Sequence, residues 1–374
     1  MKIHGKKTIK HLIYLFITTI LLALFLPNQD LETVHAAKLN KKEQIMLKGE
    51  KFKLSLKGTS EKPQFTSLNP NIATVSSKGV IKGVGNGKTV ITATISNKTY
   101  SCKVTVHDTM DIIVFAGQSN MTNVGKASQA PTVKAGTGYE AIPKKNKISP
   151  LKEPFGVGQI KTKAKRSEQG ATLVSAFVNA YYKKTKTPVL AMNTAKGGTS
   201  IGEWSSSYYK NVVKDVKAME KLLKKKGLKK GHVYVVLYQG ENDALNSIVS
   251  YNYRSHMELF MKKVQDNCDA ERCFVIRISN DMHNLSTYDT IAATQTKLCM
   301  EDPRFIMVST ISSGFNASYY QGDGIHLNQK GLNKVGTQAG KMAGTFVVTG
   351  LEPSMKDPRY KNTYESKCNL GSNY

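Results

Sequence analysis

The sequence predicts an α/β protein: a three-layer α/β/α unit on a five-stranded parallel sheet, preceded by a small all-β sandwich. Three observations carry this. From Asp111 onward, short apolar runs alternate with stretches whose apolar residues recur at helical spacing. Between residues 38 and 107 the alternation has the two-residue period of half-buried strands, broken by turn signals. The chain has 374 residues, enough at roughly 100–200 per domain for two folded units.

The N-terminal strands are clearest at Ile91, Ala93 and Ile95, which alternate with Thr92 and Thr94, and at Cys102-Lys103-Val104-Thr105-Val106. Asn69-Pro70, Lys78-Gly79 and Asn86-Gly87 mark the turns. Gly83, Gly85 and Gly87 do not form a phosphate-cradling loop, because a strand follows where a dinucleotide fingerprint opens a helix; they read as a hairpin.

In the second unit, Ile112-Ile113-Val114-Phe115-Ala116 is a strand buried on both faces. Val189 to Asn193, Val233 to Tyr238, Phe274 to Ile278 and Ile306 to Ser309 supply four more. Leu173, Phe177, Ala180 and Tyr181 share a helix face, as do Val212, Val216, Met219 and Leu223. Tyr251–Val264 and Asn328–Phe346 are further helices, and residues 350–374 form a C-terminal tail.

Before both units lies an address segment. Lys2, Lys6, Lys7 and Lys10 precede the apolar run Leu12–Pro27, and Val34-His35-Ala36 ends a polar stretch. This is the pattern of a secretory signal peptide over residues 1–36, and the run is short of the ~20 residues that span a bilayer. The expected location is therefore extracellular, secreted or associated with a bacterial cell wall, with membrane contact only through the leader before cleavage. Four lysines and two acidic residues leave with it, so the formal net charge of +27 becomes +25. Such an excess favours an anionic wall polymer as a partner. No basic stretch is interleaved with aromatics, which argues against nucleic acid.

Five cysteines are too few for a disulfide scaffold. Cys268 and Cys273 flank a stretch short enough to close a loop, whereas Cys102 reads as a buried thiol. No Cys-x-x-Cys or His-x-x-x-His spacing occurs, so neither metal nor cofactor is expected.

Four polar or glycine-rich clusters fall at carboxyl strand ends, the edge where such sheets place their ligand sites. They are Gly117-Gln118-Ser119-Asn120-Met121, Ala195-Lys196-Gly197-Gly198-Thr199-Ser200-Ile201, Gln239-Gly240-Glu241-Asn242-Asp243, and Asp323-Gly324-Ile325-His326. A serine hydroxyl needs a base, His suits neutral pH, and an Asp three residues earlier can hold its tautomer. Backbone N–H groups at a glycine turn, with a side-chain amide, can receive an oxyanion. His283 is the rival base, while His232 and His256 read as structural. Glu241 and Asp243 sit too close in sequence to flank a sugar ring as a glycosidase pair. Trp204 is equally a sugar platform or a core residue.

These blocks, in this order, resemble the SGNH hydrolase superfamily. Gly117-Gln118-Ser119-Asn120-Met121 and Gln239-Gly240-Glu241 resemble its sialate O-acetylesterase and acetyl-xylan esterase-like branch, over roughly Asp111 to Thr349. The resemblance implies a flavodoxin-like fold and a serine esterase that removes O-acetyl groups from carbohydrates. Ser119, Asp323 and His326 would be the triad, and the N–H groups of Ser119 and of Gly198 or Gly197 would be oxyanion donors. Gln118, Asn120, Glu241 and Trp204 would be substrate-binding. Other superfamily members carry Gly-x-Asn-Asp, which Gly240-Glu241-Asn242-Asp243 matches, making Asn242 the side-chain donor. The acetylesterase branch relies on the Gln of Gln-Gly-Glu, which favours Gln239. Residues 38–107, with Leu68-Asn69-Pro70-Asn71-Ile72-Ala73-Thr74-Val75 and Gly83-Val84-Gly85-Asn86-Gly87, resemble a bacterial Ig-like domain of group 2, with Phe65 where that family often has Trp. The same triad would also fit a lipid or other acyl ester, and a non-catalytic surface-binding protein is the reading from another class.

Overall fold

The computed structural model describes residues 36–156 and 170–364. The expected signal peptide, apart from Ala36, and the Lys161–Arg166 run lie outside them, as does Cys368.

The N-terminal unit is a sandwich. Strands β2 (Glu43–Leu47), β9 (Lys98–His107), β8 (Gly87–Ile95) and β5 (Gln64–Ser67) form one sheet, in that order. Strands β3 (Lys51–Lys53), β7 (Val80–Gly83) and β6 (Ala73–Val75) form the other, while β1 (Lys38–Leu39) pairs with β4 (Leu56–Lys57). The inward side chains of the alternating strands (Ile91, Ala93, Cys102, Val104 and Val106) make its core, with Phe65 packed against them. The glycine turn between β7 and β8 corrects the hairpin reading: those strands lie in different sheets, so Gly83–Gly87 crosses the sandwich. The long hairpin is β8–β9, closed at Ser96 and Asn97.

Strand β9 runs into the next sheet through Asp108 alone, since β10 spans Thr109–Gly117. Leu47 packs with the core of the second unit, and Tyr139 donates its hydroxyl to Glu50 at 2.9 Å. His107 meets the Tyr182 hydroxyl at 3.2 Å. The module is thus seated on its neighbour by apolar and polar contacts together.

The second sheet has seven strands in the order β12, β11, β13, β10, β14, β15, β16. Five are the expected ones: β10, β13 (Val189–Asn193), β14 (Lys229–Tyr238), β15 (Arg272–Ile276) and β16 (Phe305–Ser309). Two more extend it, β11 (Gly138–Ile142), parallel to β13, and β12 (Lys147–Pro150), an antiparallel edge. Every residue of β13 and β16 is buried, as a parallel sheet covered on both faces requires.

Helices α1 (Val174–Thr185) and α7 (Gln329–Thr349) pack against each other as one layer. The other layer begins with α2 (Ile201–Glu203), which continues through a π-helical turn (Trp204–Tyr208) into α3 (Tyr209–Lys225). After the short α4 (Glu241–Leu245) come α5 (Ser250–Cys268) and α6 (Asp289–Glu301), which pack in succession with α3. Val212, Val216, Met219 and Leu223 point inward as their spacing predicts. Strands β17 (Met355–Asp357) and β18 (Asn362–Tyr364) form a hairpin held by a buried ion pair, in which Arg277 donates to Asp357 at 2.6 Å. No helix among the described residues is long and apolar enough to cross a membrane.

Cys268 and Cys273 are both free and buried, which corrects the expected loop closure; Cys102 and Cys299 are free and buried too. Burial pushes the Cys268 thiol up to about 12 and Cys102 to about 11, so neither supplies a thiolate at neutral pH.

Candidate active site

All four blocks leave the carboxyl ends of β10, β13 and β14 or the loop before α7, and meet at one edge of the sheet. Two glycines make the turns possible. Gly117 has φ +132°, and a Cβ there would meet the Tyr238 carbonyl oxygen at 2.0 Å; Gly240, at φ +138°, is hemmed in by Ile291, Ile278 and Tyr253. These positions let β10 and β14 end side by side and turn sharply outward.

Ser119 opens a 3₁₀ turn, Ser119–Met121, and is half-buried. The cap position falls to Gln118, so the Ser119 hydroxyl is not spent on capping. The next residue, Asn120, is fully buried. Its Oδ1 accepts the Leu327 N–H at 2.9 Å, and its Nδ2 reaches the Ile325 carbonyl at 3.4 Å. Asn120 therefore grips the backbone on both sides of His326 from the position beside Ser119. This juxtaposition brings the first and last blocks together across 207 residues of sequence.

Asp323 divides its two oxygens. Oδ1 accepts the N–H groups of Ile325 at 3.0 Å and His326 at 2.9 Å, closing the turn. Oδ2 faces His326 Nδ1 at 2.6 Å. A carboxylate only accepts, so the proton sits on Nδ1 and Nε2 is left as the basic nitrogen. Burial pushes the Asp323 carboxyl up, but the hydrogen bonds from the His326 ring and from two backbone N–H groups outweigh it and hold the carboxyl below its usual range. His283 is not a second base facing a substrate. Its Nε2 donates to the Asp323 carbonyl at 2.8 Å, and the Met282 N–H reaches the Gly324 carbonyl at 3.0 Å. The ring braces the loop that carries Asp323 and His326.

The third block turns mostly inward. Gln239 is fully buried; its Nε2 donates to the Thr199 carbonyl at 3.1 Å and to the Asp243 carboxylate, and its Oε1 accepts from Tyr253 at 3.1 Å. Its amide nitrogen thus already faces two acceptors inside the protein. Asn242 is half-buried and uses only its Oδ1, toward Asn246 at 3.3 Å, leaving the Nδ2 hydrogens without an acceptor among the described residues. Asp243, buried and pushed up by that burial, accepts the Ile201 N–H at 3.0 Å and so ties the third block to the second.

Three of the four residues read as substrate-binding are internal fastenings. Gln118 is 4% exposed and its Oε1 collects the N–H groups of Gly240 at 3.2 Å and Asn242 at 3.1 Å. Asn120 holds the His326 loop. Glu241, 1% exposed, accepts from Asn120 at 3.0 Å, and burial raises its carboxyl above the usual range against the pull of that hydrogen bond. The fourth, Trp204, is a core residue with no exposed surface, its Nε1 donating to Thr199 at 2.9 Å and its ring against Tyr208 and Phe260.

What remains open is small and polar. Gly197 and Gly198 are exposed, Gly198 at φ +70°, with nothing over their Cβ positions. Their N–H groups and that of Ser119 have no acceptor among the described residues. A serine hydroxyl, a ring nitrogen oriented by a carboxylate, and unspent N–H donors at a rigid edge are the parts that acyl transfer requires. Among the described residues no three His, Cys, Asp or Glu side chains gather as metal ligands.

The chain matches the family model of carbohydrate esterases, sialic acid-specific acetylesterase, over residues 109–345, and that of a bacterial Ig-like domain over residues 61–108. Similar solved structures include a protein from Arabidopsis thaliana at 19% identity, covering 63% of this chain and 97% of that one with a TM-score of 0.49. A carbohydrate acetylesterase from Xanthomonas citri shows 15% identity, covering 84% and 76%, with a TM-score of 0.43. An acetylxylan esterase from Geobacillus stearothermophilus shows 10% identity, covering 61% and 91%, with a TM-score of 0.39. No curated protein matches the chain. The first of the two family matches takes in more than half of the residues and all four blocks, so the chain belongs to the sialic acid-specific acetylesterase family and is a carbohydrate O-acetylesterase.

Proposed function

We propose that the protein is an exported bacterial esterase that removes O-acetyl groups from wall, plant or sialylated glycans through an acyl-serine intermediate. Ser119 attacks the acetyl carbonyl, and His326 Nε2 takes the hydroxyl proton and later returns it to the departing sugar oxygen. Asp323 holds the imidazole and balances its charge while it is protonated. The Ser119 and Gly198 N–H groups and Asn242 Nδ2 receive the oxyanion. The observation that supports this reading is the grip of Asn120, next to Ser119 in the chain, on both neighbours of the Asp-oriented His326. Export rests on the charged and apolar pattern of residues 1–36, and retention on an anionic wall rests on the +25 excess.

The test is acetate release from acetylated oligosaccharides by residues 37–374, compared with Asn242→Ala and Gln239→Ala. Losing an oxyanion donor is expected to lower kcat by about a hundred-fold in Asn242→Ala, with little change in KM. Gln239→Ala is expected to act on stability instead. It takes a donor away from the buried Asp243 carboxylate, at a cost of about 1–3 kcal/mol. A folded Gln239→Ala enzyme with the larger loss in kcat would return the donor role to Gln239.

A further inference from the structure

With the single tryptophan sealed in the core, the glycan must be held by something else. Of the nine large apolar side chains exposed among the described residues, four stand on the connections that leave β14 and β15 at the catalytic edge: Leu245, Val249, Tyr251 and Leu285. Leu245 ends the short helix that carries Asn242, and Leu285 lies two residues beyond His283. Tyr251 is 78% exposed. It lines a groove of about 480 Å³ between α5 and α6, together with Ser250, Arg254, Thr290 and Ala293. Both helices follow strands of the sheet that carries Ser119, α5 after β14 and α6 after β15, and an exposed apolar cluster on such connections marks a binding surface.

We propose that this groove is a subsite for the saccharide chain that carries the ester, with Tyr251 as its stacking platform. The reading rests on the carbohydrate esterase activity and adds where the chain runs: from Ser119 past Asn242 toward α5. Two features select an uncharged sugar. The cations of the groove are neutralised, Arg254 by Glu258 at 2.8 Å and by Glu301, and Lys297 by Glu301 at 4.0 Å. The apolar ring of Tyr251 matches the C–H face of a pyranose, while the Ser250 and Thr290 hydroxyls can meet its edge.

The experiment compares wild type, Tyr251→Ala and Tyr251→Phe on acetylated xylo-oligosaccharides and on 4-nitrophenyl acetate. Tyr251→Ala is expected to raise KM for the oligosaccharide about tenfold with kcat kept. Its turnover of the aryl acetate stays at the wild-type value, and Tyr251→Phe behaves as wild type on both, because the ring face is retained. An unchanged oligosaccharide KM in Tyr251→Ala overturns the subsite. Equal losses on both substrates overturn it as well, since the residue would then act on the catalytic centre and not on the chain. A wild-type enzyme that cleaves the aryl acetate but none of a panel of acetylated xylo-, wall and sialylated oligosaccharides contradicts the carbohydrate reading on which the subsite stands.

Discussion

Ser119→Ala is expected to lower kcat for an acetyl ester by about 10⁴-fold or more, with the protein still folded. The size of the loss follows from the division of labour at the site. In the proposed mechanism Ser119 supplies the attacking oxygen, while Gln118, Asn120 and Glu241 beside it hold the loops. Its hydroxyl caps no helix and the residue is half-buried, so truncation removes chemistry without removing a structural partner. The backbone N–H stays in place, and the remaining activity measures what the oxyanion donors achieve with water as the nucleophile. Steady-state kinetics on 4-nitrophenyl acetate beside a thermal melt would check both halves. A folded Ser119→Ala protein with full activity would remove the serine from the mechanism.

Asp323→Asn has the second largest expected effect, on the order of 10³–10⁴ in kcat with KM little changed. The substituted amide keeps one oxygen to accept the Ile325 and His326 N–H groups, so the turn survives. At the Oδ2 position, however, an NH₂ group now faces His326 Nδ1. That nitrogen must then accept, which moves the ring proton to Nε2 and turns the base into a donor toward Ser119. The variant thus isolates tautomer from geometry. Near wild-type turnover would contradict the role of Asp323 and shift it to Glu241, the buried carboxylate on the other side of Asn120.

Residue types at the strand ends were legible in the sequence; their directions were not. The central strands announce themselves as apolar runs because both faces of the sheet are covered. Strand β11 does not, since Gly138-Tyr139-Glu140-Ala141-Ile142 buries a glutamate that accepts the Gly156 N–H at 3.0 Å. Helix α6 is hidden for a similar reason. Part of its buried face is Ala292, Thr294 and Gln295, and Gln295 accepts from Ile278 and donates to the Gln239 carbonyl at 2.7 Å. Polar residues on the middle turn of that face interrupt the hydrophobic period set by Ile291, Ala292, Leu298 and Cys299. Trp204 and Glu241 carry side chains that suit a glycan site, yet both point into the core. Gln239 lies before the helix that begins at Glu241, and its bond to Asp243 runs across the Gly240 turn, a contact that no sequence spacing announces.

The proposed reaction passes through a covalent acetyl-Ser119 intermediate. Wild-type enzyme mixed with an acetylated substrate, quenched in acid during turnover and digested for mass spectrometry, should carry one acetyl group on the peptide containing Ser119. That group should be absent from the Ser119→Ala variant under the same quench. Acetate release with Ser119 unmodified in the quenched enzyme, or an acetyl group carried by a different residue, would contradict it.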